Sequence, residues 1–184
     1  TVADKSVIEI ANERRGQLQD YVWSPDSNYI AYSQSDDNGF RSINIWSAAE
    51  NKARRVTSEM FNETNPAWDP EGNYLFYLSD RDYAPVISGA EFNYATSRTT
   101  SIFALALRKD VKHPFGPQSD EVTITEEKKP ADKPADKPAE KPAEKKDLKI
   151  EFEGLADRVA RVPQPAGNIG GLSAVKGHLL YAKF

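Results

Sequence analysis

Hydrophobic and polar residues alternate in several short segments of the chain, which is the pattern of half-buried β-strands. The clearest example is residues 42–46, where Ile43 and Ile45 alternate with polar neighbours. Tyr, Trp, Phe, Val and Ile are frequent in these segments, and these residues suit a pleated surface. Further strands are predicted at residues 7–10, 54–57, 101–107 and 159–162. The pattern therefore predicts an all-β fold.

One aromatic-turn-aromatic unit occurs twice, and Trp68 follows Trp23 at an offset of 45 residues. Each unit has a proline at the second position of a turn, where its fixed φ suits turn types I and II. The repeated residues are Trp23 and Trp68, Pro25 and Pro70, Asn28 and Asn73, Tyr29 and Tyr74, and Tyr32 and Tyr77. A repeat of this length is typical of the four-stranded antiparallel blades of a WD40-like or TolB-like β-propeller.

The repeat divides the chain into parts of a partial β-propeller. In the second blade the third strand comes late, so residues 82–100 are predicted to form a long loop, and Leu172 is aligned with Trp68 as the start of a third copy. The predicted parts are the end of a preceding blade at 1–16, a complete blade at 17–61, an interrupted second blade at 62–125 and 150–166, an insert at 126–149, and the start of a further blade at 167–184.

The insert is a low-complexity segment built of Lys-Pro-Ala-Asp and Lys-Pro-Ala-Glu tetrads. A proline at every fourth residue removes one helical hydrogen bond per turn and clashes with the preceding turn. An extended, disordered tether is therefore predicted for residues 126–149.

Composition and charge exclude several function classes. The net charge of -4 and the absence of a basic stripe argue against nucleic-acid binding. No apolar run approaches the roughly 20 residues that span a bilayer, so no membrane span is predicted. The chain has no cysteine, begins at Thr1 without a signal peptide, and has Met60 as its one methionine. It is therefore expected to be a piece of a longer protein.

The sequence gives no sign of catalytic, cofactor-binding or metal-binding residues. A Ser-His-Asp arrangement needs a histidine between nucleophile and carboxylate, and both His113 and His178 are explained by turn context or repeat position. Two separated histidines without cysteine do not make a zinc site. Residues 36–39 lack the calcium-loop pattern and predict a hairpin turn.

One candidate substrate or partner surface follows the second repeat. It combines a charged cluster at a strand end with aromatic residues of the long loop, and its members are Asp80, Arg81, Tyr83, Phe92 and Tyr94. For the charged residues, structural ion pairing is the alternative to contact with a peptide. For the aromatic residues, the alternative is packing against a neighbouring domain.

The core between blades is predicted from residues on the repeated strands. Blades bury their faces against neighbouring blades, so these residues are expected to be buried together. They are Trp23, Tyr32, Ile45, Trp46, Trp68, Tyr77, Phe103 and Leu179.

The order of the motifs resembles the tricorn protease and its bacterial homologues across most of the chain. The segments that carry this resemblance are residues 78–85, 105–110, 113–117, 119–121, 150–154, 157–163 and 165–168. The resemblance implies part of the second propeller of an S41-type serine peptidase that also has a PDZ domain and a split catalytic region. It further implies that the propeller guides or gates peptide substrates, in a homo-oligomer of the cytoplasm. The periplasm is the alternative if a signal peptide precedes this stretch.

The catalytic Ser, His and Asp of that family have no counterpart in these residues. Two other functions stay open from the sequence: the propeller of a prolyl-oligopeptidase-type peptidase, and a TolB-like protein-binding scaffold without catalysis. Sequence beyond Phe184 would distinguish the three, because each parent protein continues differently.

Overall fold

The computed structural model describes residues 5–82, 86–87, 94–95, 98–112, 114–115 and 147–184, with 86–87 and 94–95 described as backbone only. Twelve strands and one short 3-10 helix, Leu155–Asp157, occur in this part of the chain. The strands are β1 (Gln19–Trp23), β2 (Tyr29–Ser35), β3 (Arg41–Ser47), β4 (Lys52–Arg55), β5 (Glu63–Trp68), β6 (Tyr74–Ser79), β7 (Val86–Ile87), β8 (Tyr94–Ala95), β9 (Ser101–Ala106), β10 (Val159–Arg161), β11 (Ile169–Val175) and β12 (His178–Lys183).

Two antiparallel sheets of four strands make up most of the structure, which confirms the predicted all-β fold. The first sheet has the order β1-β2-β3-β4, and the second has the order β10-β9-β6-β5. The strands β11 and β12 form a further antiparallel pair. In each sheet the strand that comes first in the chain, β1 or β5, forms one edge, and the last strand, β4 or β10, forms the other. These edges correspond to the inner and outer strands of a propeller blade.

The two repeated turns have the same construction. The amide of Ser24 donates to the carbonyl of Tyr29 at 2.9 Å, and the amide of Asp69 donates to the carbonyl of Tyr74 at 3.0 Å. In each turn one residue has a positive φ: Ser27 in the first and Gly72 in the second. Asp26 follows the proline of the first turn and Asp69 precedes the proline of the second, and each accepts amide hydrogen bonds within its own turn. An aspartate and the proline together therefore specify the chain reversal in both turns.

Alternation along β6 divides its side chains between two interfaces. Leu75 and Tyr77 face the first sheet and are completely buried there with residues of β2 and β3, while Phe76 and Leu78 pack with Leu172 of β11. Successive side chains of a strand point to opposite faces, so one strand contributes to both cores. The hydrophobic core of this structure therefore lies between sheets.

Of the residues predicted for this core, Trp23 and Leu179 differ from the expectation. Trp68 is 5% exposed, and its indole Nε1 donates to the carbonyl of Val22 at 3.1 Å. Trp23 occupies the matching place on β1 but is 54% exposed, because no described sheet lies on that side. Leu179 is half-buried. The other six predicted core residues are buried.

The third copy of the repeat begins two residues later than the sequence alignment places it. Lys176 and Gly177 alone connect β11 and β12, and Gly177 has a positive φ. This turn is shorter than the turns after β1 and β5. The residue of the inner strand at the equivalent pairing position is therefore different: Trp68 pairs with Leu75 on the second sheet, and Ala174 pairs with Leu179 here. Leu172 instead lies in a bulge of β11.

Two connecting segments also differ from the predictions. Residues 7–10 form no strand; Ile10, Ala11 and Leu18 instead pack without strand geometry against the face of the first sheet that Ile30 and Tyr32 share. The predicted long loop at 82–100 contains the two short strands β7 and β8, which pair with each other.

The predicted insert ends earlier than residue 149. Leu148 is buried against Gly72, and its amide donates to Asp26 Oδ2 at 2.9 Å. Burial tends to raise the pKa of Asp26, but hydrogen bonds from Ser24, Leu148 and Asn28 outweigh this effect and lower the pKa. Residues 147–149 thus belong to the folded part, whereas residues 116–146 lie outside the described residues.

Candidate functional site

Arg81, one of the predicted surface residues, lies just after β6 and forms an ion pair with the buried Glu63 of β5. The same guanidinium donates to Tyr77 Oη at 3.1 Å and to Ser79 Oγ at 2.9 Å. Its centre also lies 4.4 Å from the ring centroid of Phe103. Contacts of this kind attract a cation to an aromatic face. Arg81 is thus held by the second sheet, with about a quarter of its side chain exposed.

Glu63 is completely buried beneath this arginine. Burial raises the pKa of Glu63, and hydrogen bonds from Thr57 and Arg81 offset only part of that rise. Burial and the nearby Glu63 carboxylate also raise the pKa of Tyr77. A carboxylate in such a position needs its cationic partner, because an unpaired buried charge is costly.

The raised pKa of Glu63 predicts the direction of a pH effect on stability. The folded state binds a proton at Glu63 more readily than the unfolded chain does, so protonation of Glu63 stabilises the fold. This stabilisation is complete below the unfolded pKa, near the ordinary value of 4.5, and is lost as the pH rises through the folded pKa. We expect the wild type to lose stability relative to Glu63→Gln as the pH is raised from 4.5 to neutrality. Denaturant midpoints of both full-length proteins across this range measure the difference, and a constant or opposite trend contradicts the raised pKa.

Asp80 has two carboxylate oxygens that each accept one hydrogen bond. Asn62 Nδ2 donates to Oδ2 at 3.0 Å, and Thr100 Oγ1 donates to Oδ1 at 2.6 Å. These bonds connect the ends of β5 and β9 to the loop that follows β6. Of the aromatic members, Tyr83 and Phe92 lie outside the described residues, and only the backbone of Tyr94 is described, in β8. Of the five predicted surface residues, Asp80 and Arg81 are thus the two whose side chains the structure describes, both just after β6.

A second candidate surface, which the sequence reasoning missed, lies beside the inner strands β1, β5 and β11. An apolar depression of 270 Å³ is lined by residues of all three strands and of the two repeated turns. Its lining includes Trp23, Pro25, Pro66, Pro70 and Leu172. The sequence contains these residues, but only the stacking of three sheets places them side by side.

Among residues 5–82, 98–112 and 147–184, no three His, Cys, Asp or Glu side chains converge as a group that could hold a metal ion. His178 lies exposed on β12, and His113 is outside the described residues. Within the same residues, no helix has the length and hydropathy to cross a membrane.

The residues at 36–39 form the predicted hairpin turn between β2 and β3. The amide of Asp36 donates to the carbonyl of Phe40 at 2.7 Å, and Gly39 has a φ of 85°. The Asp36 carboxylate pairs with Arg55 of the first sheet.

Radially arranged antiparallel sheets whose inner strands meet define this chain as an open piece of a β-propeller. A family model described as the second β-propeller domain of tricorn protease matches residues 1–184. The chain belongs to this family.

Two curated relatives and one solved structure agree with that assignment. The chain is 29% identical to Tricorn protease homolog 1 of Streptomyces coelicolor over 177 residues, which cover 96% of this chain. It is 34% identical to the Tricorn protease of Thermoplasma volcanium over 119 residues, which cover 61% of this chain. A crystal structure of the tricorn protease has a TM-score of 0.63 at 18% identity and covers 94% of this chain, which shows a shared fold.

The chain is much shorter than these proteins. It spans 16% and 12% of the two relatives and 15% of the solved chain. The resemblance therefore concerns one propeller segment.

Proposed function

We propose that this chain is a propeller segment of a tricorn-like serine endopeptidase, and that it guides or gates peptides toward a catalytic region outside these residues. The family match over residues 1–184 carries the proposal. The inner strands support it, because propeller sheets surround a central channel and the strands β1, β5 and β11 form the inner edges of three neighbouring sheets.

The exposed groups near these edges suit weak contact with a passing peptide. Tyr21 on β1 is 68% exposed and Trp23 is 54% exposed. Aromatic and proline side chains offer apolar contact area without fixing one sequence. A guiding surface requires this property, because tight binding would retain the peptide.

We also propose partners for this segment: the remaining blades and the PDZ and catalytic domains of the parent protein, with peptides as substrates. The parent is a homo-oligomer of the cytoplasm in this proposal.

Labelling the inner edge tests the guiding role. We expect Tyr21→Cys of the full-length protein, after reaction with a bulky maleimide, to hydrolyse long peptides at least about tenfold more slowly in kcat/KM than the unlabelled variant. The physical reason is that a large group on the innermost strand narrows the channel. Steady-state hydrolysis of a long and a short fluorogenic peptide measures the effect.

The matched control is Lys52→Cys with the same label, because Lys52 is exposed on the outer strand β4. This variant should keep the wild-type rate. Equal rates for both labelled proteins would refute the guiding role, and a full-length protein without any peptidase activity would favour the binding-scaffold alternative.

A further inference from the structure

Each inner strand has a bulge at the same place, and the first residue of each bulge has a left-handed backbone. The register shifts between Gln19 and Val22 on β1, between Thr64 and Ala67 on β5, and between Gly170 and Ser173 on β11. The left-handed residues are Asp20 with φ 56°, Asn65 with φ 52° and Gly171 with φ 62°. Asp, Asn and Gly adopt this conformation at lower cost than other residues.

These three residues, the bulge residues, are connected from one sheet to the next. The amide of Gly171 donates to Asn65 Oδ1 at 2.9 Å, and the amide of Asn65 lies 3.4 Å from Asp20 Oδ2. Ser33 Oγ also donates to Asp20 Oδ2 at 3.2 Å. In both contacts between bulge residues, the backbone amide on one sheet points to the side-chain oxygen of the bulge residue on the preceding sheet.

A bulge leaves its extra residue without a partner in the strand pairing, so the amide there must find an acceptor elsewhere. The neighbouring sheet supplies this acceptor here. Apolar packing between blade faces is non-directional, whereas a hydrogen bond fixes distance and orientation. The bulge residues therefore provide directional contacts between the inner strands.

We propose that Asp20, Asn65 and Gly171 form a docking row that sets the spacing and rotation of neighbouring blades at the inner edge of the propeller. The partner that fits each side chain is the bulge amide of the following blade. Gly171 has no side chain that could accept such an amide, so it takes part in this row only as a donor.

The test compares Asn65→Gly with Asn65→Asp in the full-length protein. Glycine keeps the left-handed backbone and removes the acceptor, whereas aspartate keeps both. Hydrogen exchange at the Gly171 amide, resolved to single residues by mass spectrometry with electron-transfer fragmentation, should become about tenfold faster in Asn65→Gly, as expected for a lost hydrogen bond of about 1.4 kcal/mol. Asn65→Asp should exchange within about twofold of the wild type.

Exchange in β2 and β3 serves as the internal reference. The proposal is supported if acceleration is confined to β11 and the amides next to it. It is overturned if Gly171 exchange in Asn65→Gly stays within about twofold of the wild type, if both variants accelerate equally, or if all strands accelerate together.

Discussion

Replacing Trp68 with alanine should destabilise the contact between the two four-stranded sheets by about 3–5 kcal/mol. The side chain is 5% exposed, packs against Val22 and Tyr29 of the first sheet, and donates an indole hydrogen bond to the carbonyl of Val22. Truncation removes this buried area and leaves a cavity that two rigid sheets fill only in part. Native-state hydrogen exchange in β5 and β6 of the full-length protein measures the change in opening free energy.

Two variants separate packing from other effects. Trp68→Phe retains most of the apolar volume and loses the indole donor, so its cost should be smaller than that of alanine. Trp23→Ala removes the matching but half-exposed residue of β1 and should have a smaller effect on exchange in β5 and β6. If Trp23→Ala equals Trp68→Ala there, the sheets are not joined as the structure shows.

At a pH where Glu63 is ionised, replacing Arg81 with methionine should cost about 3–5 kcal/mol, because it leaves the Glu63 carboxylate buried without its cation. Methionine retains the length and apolar contacts of the side chain near Phe103, so the loss is mainly electrostatic. The opening free energy of β5 and β6 in the full-length protein is again the measured quantity.

The double variant Glu63→Gln with Arg81→Met is the control for this pair. It removes both charges, so its cost should be well below that of Arg81→Met alone. A double variant as unstable as the single one would show that Arg81 acts through packing. If Arg81 instead contacts peptides, Arg81→Met should lower kcat/KM for long peptides and leave the stability unchanged.

The repeat by itself determines much of the fold. Trp23 and Trp68 with their turns predict paired strands, since the proline and aspartate of each turn act through local geometry. The alternation in residues 42–46 and the apolar run in residues 101–107 likewise predict strands that the structure contains as β3 and β9. Signals of this kind depend on neighbours along the chain, so they can be read from sequence.

Contacts between sheets depend on residues far apart in the chain, and only the tertiary structure decided them. The repeat predicts the same environment for Trp23 and Trp68. The first sheet covers Trp68, whereas no described sheet covers Trp23. The ion pair between Glu63 and Arg81 and the hydrogen bond from the Leu148 amide to Asp26 also join distant segments.

The repeat therefore determined which strands form and roughly where they begin. The tertiary structure decided which faces of the strands are buried and that the buried Glu63 carboxylate pairs with Arg81. It also brought Asp20, Asn65 and Gly171 together at the inner edge. The physical reason is that strand formation follows local alternation and turn geometry, whereas burial and directional contacts between blades exist only once the sheets stack.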